Sequence, residues 1–298
     1  MAKKSAIYIS SENIYVVSAE QKRDALRIID YFQIPLDEGT MINGIITQEE
    51  ALKKKLLMVY AKGIRNVSLI IDSGKILAKT TTIPKMKEKE IIQFIKDEVS
   101  VIDSHAKDLV YDYAYLGEDE KIKGASQILY VAVSRELLKS YIDLFTEVGI
   151  EITKIDYSTN ILVSLAHHLP GLIEKTYSLC QFDGQHLISF LFIKNEYILN
   201  NRTRIYAQKG TPEFINEVLS VISRMKQFVI GQGEKLDILF FFGLDSELEN
   251  TLFTQIEDVF HIPVKNSHNP KSVYAVKDNE VPFNVNDYVY PVGYLWRK

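Results

Sequence analysis

The chain has a single cysteine, Cys180 in the run YSLCQF, so no internal disulfide can form and a reducing compartment suits it better than an oxidising one. It also lacks a signal-peptide core, because MAKKSAIYIS passes from two lysines directly into a strand-like run. The longest apolar stretches, LISFLFI and ILFFFGL, are strand-length and far short of the ~20 residues that span a bilayer as a helix. Together these absences point to the cytoplasm, with no direct membrane insertion. Basic excess is missing too: 35 Lys and Arg against 39 Asp and Glu leave a net charge of −4 and a pI near 5.9. The cations are scattered, not gathered into a stripe, which argues against a nucleic-acid partner. KKKLL and KMKEKE lie in or beside helical patterns and read as solvated faces.

Most catalytic signatures are absent as well. No GxSxG elbow occurs, and Ser134, followed by Arg135 and Glu136, reads as a helix N-cap. The glycines of GQG, Gly231 and Gly233, follow a helix and lack the lysine and Ser/Thr of a phosphate loop, so they read as a helix stop. His167 and His168 are helix neighbours pointing about 100° apart, with no acidic or sulfur ligand at i+4. His261 and His268 fall in a loop, and no metal is expected.

What is present is a repeated order of elements in 298 residues, a length that accommodates two lobes. SAIYISSENIYVVSAE forms two strands around Ser10-Ser11-Glu12-Asn13, and ALRIIDYFQIPL adds a third. TQEEALKKKLLMVYAKGI predicts a helix with Thr47 as N-cap, Glu50 three residues on and Gly63 as the stop, and NVSLIIDSG follows as a buried strand. The order βββαβ returns with strands at Thr176–Phe182, Leu187–Ile193 and Tyr197–Tyr206, a helix from Pro212 after Thr211, and the strand KLDILFFFG. Between the halves, KILAKTTTIP predicts a strand pair, KEKEIIQFIKDEVS an amphipathic helix, DLVYDYAYLG and SQILYVAVS strands, and RELLKSYIDLFTEVGI a helix ended by Gly149. DYSTNILVSLAHHL reads as a further helix with Ser158 or Thr159 at its start. The expected architecture is α/β: a first lobe at 1–79 with 151–175, an inserted α+β subdomain at 80–150, and a second lobe at 176–298. Tyr111, Tyr113 and Tyr115 share one strand face, which suits sheet packing and also a contact platform for a peptide.

In this order the residues resemble the PilM family, actin-like type IV pilus assembly proteins related to the cell-division protein FtsA. The resemblance runs through LDEGTMINGIITQEEALKKKL, TTIPKMKEKEIIQFIKDEVSVI, YDYAYLG and ILYVAVSRELLKSYIDLFTEVGIEITKIDYSTNILVSL, and ends in YVYPVGYLWRK with Gly293, Leu295 and Arg297 in step. It implies a duplicated RNase H-like, actin-like fold with the insert as its extra subdomain. It also implies a cytoplasmic scaffold that binds the N-terminal peptide of a PilN-like bitopic membrane protein between first lobe and insert, connecting it to a pilus motor ATPase.

The family's phosphate loop, D-x-G-x-S/T, is altered here. Tyr8 takes the aspartate position and Ser10 the glycine position; in the second half Gln181 and Asp183 do so; and the Gly-Gly of the adenosine motif becomes Gly243-Leu244. Three changes together imply a vestigial nucleotide site, with Ser10, Ser11, Asn13, Asp183, Gly184 and Gly243 as its residues, Asp183 repelling phosphate, and no cofactor. Two alternatives stand beside this: a working ATPase using ATP and magnesium, and an FtsA-like filament former, which the end at Trp296-Arg297-Lys298 disfavours for want of an amphipathic anchor.

Overall fold

The computed structural model describes residues 3–23, 25–102, 108–119, 122–166, 171–244, 246–266, 272–276 and 282–297; His167, His168, His268 and Lys298 lie outside them. Strands β1 (Lys4–Ile9), β2 (Asn13–Lys22) and β3 (Ala25–Pro35) form an antiparallel meander. A small hairpin, β4 (Met41–Ile42) and β5 (Ile45–Ile46), precedes α1 (Glu49–Ala61) and β6 (Asn66–Ile71), which lies parallel to β1. Then come β7 (Leu77–Pro84), α2 (Glu88–Ile102), β8 (Leu109–Glu118) and β9 (Ala125–Ser134). Helix α3 (Arg135–Val148), β10 (Glu151–Tyr157) and α4 (Ser158–Ala166) return the chain to the first sheet.

The second half repeats the scheme with β11 (Tyr177–Asp183), β12 (His186–Ile193), β13 (Glu196–Arg204), α5 (Pro212–Gly231), β14 (Ile238–Phe242), α6 (Ser246–Phe260) and β15 (Val264–Asn266). It closes with β16 (Val273–Ala275), a short 3-10 turn and α7 (Val289–Trp296). The sheets order as β10-β6-β1-β2-β3-β16 and β13-β12-β11-β14-β15. Apart from β16, both follow one plan: a central first strand, a meander on one side and two parallel strands on the other. Being central, β1 and β11 are buried on both faces, β11 along its whole length and β1 from Ala6 onward, so that Ser178, Gln181 and Asp183 of β11 are buried along with its apolar residues.

Alternation sorts the side chains. Ile7, Ile9, Ile14 and Val16 face an outer core with α1 and α3, while Ala6, Tyr8, Val17 and Ala19 face an inner one. The inner core joins both halves: Tyr177, Leu179 and Phe190 of the second sheet meet it, with α4 and α7 between the sheets. The outer face of the second sheet carries α5 and α6, and the three-stranded sheet β7-β9-β8 carries α2 over its own small core.

Several local expectations change. Helix α1 begins after Gln48 without a side-chain cap, because the Thr47 hydroxyl donates to the carbonyls of Gly39 and Thr40, tying down the preceding loop. KILAKTTTIP is one strand and not a pair. Helix α3 buries Tyr141, Leu144 and Phe145 in the first sheet's outer core, although the expected insert ran to Ile150. The late segment β16 pairs with β3, and α7 packs on α4, so the end of the chain completes the first sheet. Ser134 and Thr211 do cap their helices.

Two glycines mark close approaches. Asn43 and Gly44 both have positive φ, as a two-residue hairpin turn requires, and a Cβ on Gly44 would stand 2.0 Å from the Asp72 carbonyl oxygen. This turn is pressed onto the end of β6, and Tyr141 Oη donates to the Gly44 carbonyl at 3.0 Å. In α7, a Cβ on Gly293 would stand 2.5 Å from Leu165 Cδ1 and 2.7 Å from Ile161 Cγ2 of α4. Gly293→Val should therefore lower stability by about 1–3 kcal/mol through overpacking, read as a shifted urea midpoint.

Candidate functional site

The matching sheet plans bring the turn after β1 opposite the turn after β11. Ser10 Oγ accepts from the backbone N–H groups of Glu12 (3.1 Å) and Asn13 (2.9 Å), so the serine closes its own turn. The Ser11 N–H, pointing out of that turn, donates to Asp183 Oδ1 at 2.6 Å. Gly184 packs against it, its notional Cβ 3.3 Å from Ser11 Cβ. Asn13 opens β2, and its carbonyl accepts from Ser10 N at 2.9 Å.

Two residues that sequence reasoning did not single out complete this seam. Arg202 on β13 reaches Asp183 Oδ2 at 3.5 Å and pairs with Asp72 at the end of β6, while Ser158 Oγ donates to Asp72 Oδ1 at 2.7 Å. Asp72, Asp183 and Arg202 have side chains only 5%, 3% and 14% exposed. The Arg202 guanidinium is held above its ordinary pKa, with burial opposed by its two carboxylates. Asp183, expected to repel phosphate, is engaged by an N–H donor and a cation. The polar stretch of YILNNRTRIY offers two arginines, Arg202 and Arg204, but nothing in the sequence marked Asp72 as the partner of either.

Beside the seam, aromatic side chains fill the cleft. Tyr8 is buried with its ring 4.5 Å from that of Tyr290, and Tyr15 stacks behind it at 6.0 Å. Burial, then the charges of Asp183 and Asp72, pushes the Tyr8 phenol far up; burial first, then Glu12, takes Tyr15 to about 12. Both stay neutral. The space left among Tyr8, Ser10, Gln181, Gly243, Asn286 and Tyr290 is ≈ 30 Å³, room for ordered water and little more.

The larger cavity lies elsewhere. About 210 Å³ opens between β8 and β9 of the insert and β10, α3 and α4 of the first half. Its floor is apolar, with Val110, Ala114, Leu129, Val131 and Val133 on the insert side and Ile71, Ile76, Leu138 and Ile155 opposite. β8 and β10, the last strands of their sheets, both border it. Asp156 at its rim pairs with Arg297 and accepts from Asn160 Nδ2 at 2.9 Å. Tyr111 and Tyr113 border the cavity, but their rings pack on the α2 side of the sheet, Lys96 lying over Tyr111, and Tyr115 is 59% exposed. The three tyrosines share a face, and the cavity opens on the other one. Among the described residues no helix is long and apolar enough to cross a membrane.

A family model described as "Type IV pilus assembly protein PilM" matches residues 6–217, more than two thirds of the chain. No curated protein sequence matches it. Among solved structures, the PilM-PilN type IV pilus biogenesis complex superposes with a TM-score of 0.79 at 13% identity, covering 99% of this chain and 96% of that one. An actin-like ATPase-fold protein of unknown function from Bacteroides thetaiotaomicron gives 0.56 at 11%, covering 99% and 96%. The cytoplasmic domain of EpsL, an inner-membrane component of the type II secretion system of Vibrio cholerae, gives 0.54 at 11%, covering 100% and 96%. At these identities the likeness is one of fold, and the fold is actin-like.

His186, at the start of β12 below the seam, is half-buried, and its pKa lies below the ordinary 6.5 because burial and then Arg202 disfavour the imidazolium. The unfolded chain binds the proton first, so this contribution to stability is complete above pH 6.5 and is lost as the pH falls from there through the folded value. In urea titrations between about pH 7.5 and 5.5, His186→Gln should lose less stability than the wild type.

Proposed function

The chain belongs to the PilM family of type IV pilus assembly proteins, and we propose that it is a cytoplasmic scaffold holding an extended N-terminal segment of a PilN-like inner-membrane protein in the cavity between insert and first lobe. The observation that carries this is the pairing of an apolar floor with the sheet-terminal strands β8 and β10. An extended peptide can add its main-chain groups to such an edge while alternate side chains enter the apolar cavity, gaining register from hydrogen bonds and affinity from burial. Docked there, the partner's membrane helix would hold the protein at the inner face of the membrane, while the second lobe stays available to a motor ATPase or another component of a pilus or related secretion machine.

The organisation that suits this role assigns β7 to β9 with α2 to the insert and leaves α3 with the first lobe, whose outer core it fills. The groove then has one wall that belongs to a small subdomain and one that belongs to the rigid sheet.

We further propose that the cleft does not work as an ATPase. The support is steric: pockets for cofactor-sized ligands run to about 300–1,000 Å³, whereas Tyr8, Tyr15 and Tyr290 leave ≈ 30 Å³ around Ser10 and Gly243. The residues present do not fit a nucleotide in this arrangement.

Two measurements test these readings. A labelled peptide from the N-terminus of a PilN-like protein of the same organism should bind in fluorescence anisotropy, and Val131→Glu, a charge placed in the apolar floor, should weaken it by about tenfold or more while the protein stays folded. Undiminished binding by that variant would remove the groove from the proposal. Calorimetry with millimolar Mg-ATP should give no saturable heat; a measurable Kd with hydrolysis would restore the enzyme.

A further inference from the structure

The seam between the two hairpin turns carries an inference that goes beyond partner binding. A turn N–H and a guanidinium converging on one point are the chemistry of an oxyanion site, where backbone donors and a fixed positive charge meet a negative oxygen. Here the oxygens they meet belong to the protein. Asp183 Oδ1 takes the Ser11 N–H at 2.6 Å, and Oδ2 takes Arg202 at 3.5 Å.

We propose that the Asp183 carboxylate is a built-in anionic ligand: it fills an oxyanion site formed by Ser11 and Arg202, latches the two lobes together, and keeps exogenous anions out. The two halves of the site come from different lobes, since Ser11 lies on the first meander and Arg202 on the second. Arg202 also pairs with Asp72, whose other oxygen takes the Ser158 hydroxyl at 2.7 Å, so one buried cation spans two carboxylates from opposite sheets. Separating the lobes would strip Asp183 of its donor from Ser11 and Asp72 of its cation at once, and groups buried to this degree depend on being paired. Further contacts follow the same seam: Asn200 Nδ2 donates to Thr159 Oγ1 at 3.0 Å, and Lys209 pairs with Glu12 at 3.1 Å. The last is exposed and contributes little by itself. Closure of the cleft, which a bound anion could supply, is thus supplied by a side chain.

The test is chemical rescue. Asp183→Gly vacates the carboxylate's place and leaves Arg202 and Asp72 as a matched pair. Thermal unfolding of this variant is titrated with sodium formate and with inorganic phosphate, against sodium chloride at equal ionic strength. A saturable rise with formate or phosphate, absent in the wild type and in the double variant with Arg202→Met, is the expected result. No rise with either anion, an equal rise in the wild type, or an undiminished rise in the double variant overturns the proposal. Should the glycine variant not fold, Asp183→Asn keeps the shape and removes the charge; amide exchange at Ser11 should then be about tenfold faster than in the wild type. Unchanged protection at that amide overturns the latch.

Discussion

A guanidinium buried between two carboxylates from opposite sheets sets the terms for the rest of the molecule. Arg202 can satisfy Asp72 and Asp183 together only if β13 and the end of β6 face each other across a closed cleft. That geometry is available because both halves use one sheet plan, which puts β1 and β11 at the centre and their following turns opposite each other. Burial of such a triad is not in itself a source of stability, since desolvation offsets much of the attraction. Its effect is on alternatives: an open arrangement would leave ionised groups of both lobes without partners in surroundings that are mostly apolar.

The inner core reinforces this choice. α4 and α7 lie between the sheets in contact so close that Gly293 admits no side chain against Ile161 and Leu165. Tyr8, Tyr15 and Tyr290 occupy what would otherwise be the interior of the cleft. The space that remains large enough for another molecule has moved outward, to the junction of insert and first sheet. Centre and periphery have therefore separated: the centre is packed and paired, and the periphery keeps an apolar floor beneath two strand edges.

Much of this was legible from local signals. The two meanders followed from short apolar and β-rich runs set off by polar turns, and the caps at Ser134 and Thr211 from residue type and spacing. That Tyr111, Tyr113 and Tyr115 share a face was readable; which face meets α2 was not, because it depends on how β8 is seated in its sheet. β10, α6, β15 and β16 went unread. β10 and the two short strands offer few residues of alternation, and β16 is defined by a partner almost 250 positions earlier, Val273 against Leu26. The Asp72–Arg202 pair was beyond reach for the same reason, since its members are separated by 130 positions and neither carries a local motif. Thr47 shows the opposite failure: its spacing suited a cap, but nearby loop carbonyls took the hydroxyl.

The pairing of β16 with β3, together with the seat of α7 on β1 and β2, ties the last residues of the chain to the first. On the ribosome the opening meander emerges early, yet its sheet is finished only when the C-terminal segment has left the exit tunnel. Until then the outer edge of β3 and the inner face of β1 are uncovered, so the first sheet cannot be completed independently of the second half of the molecule.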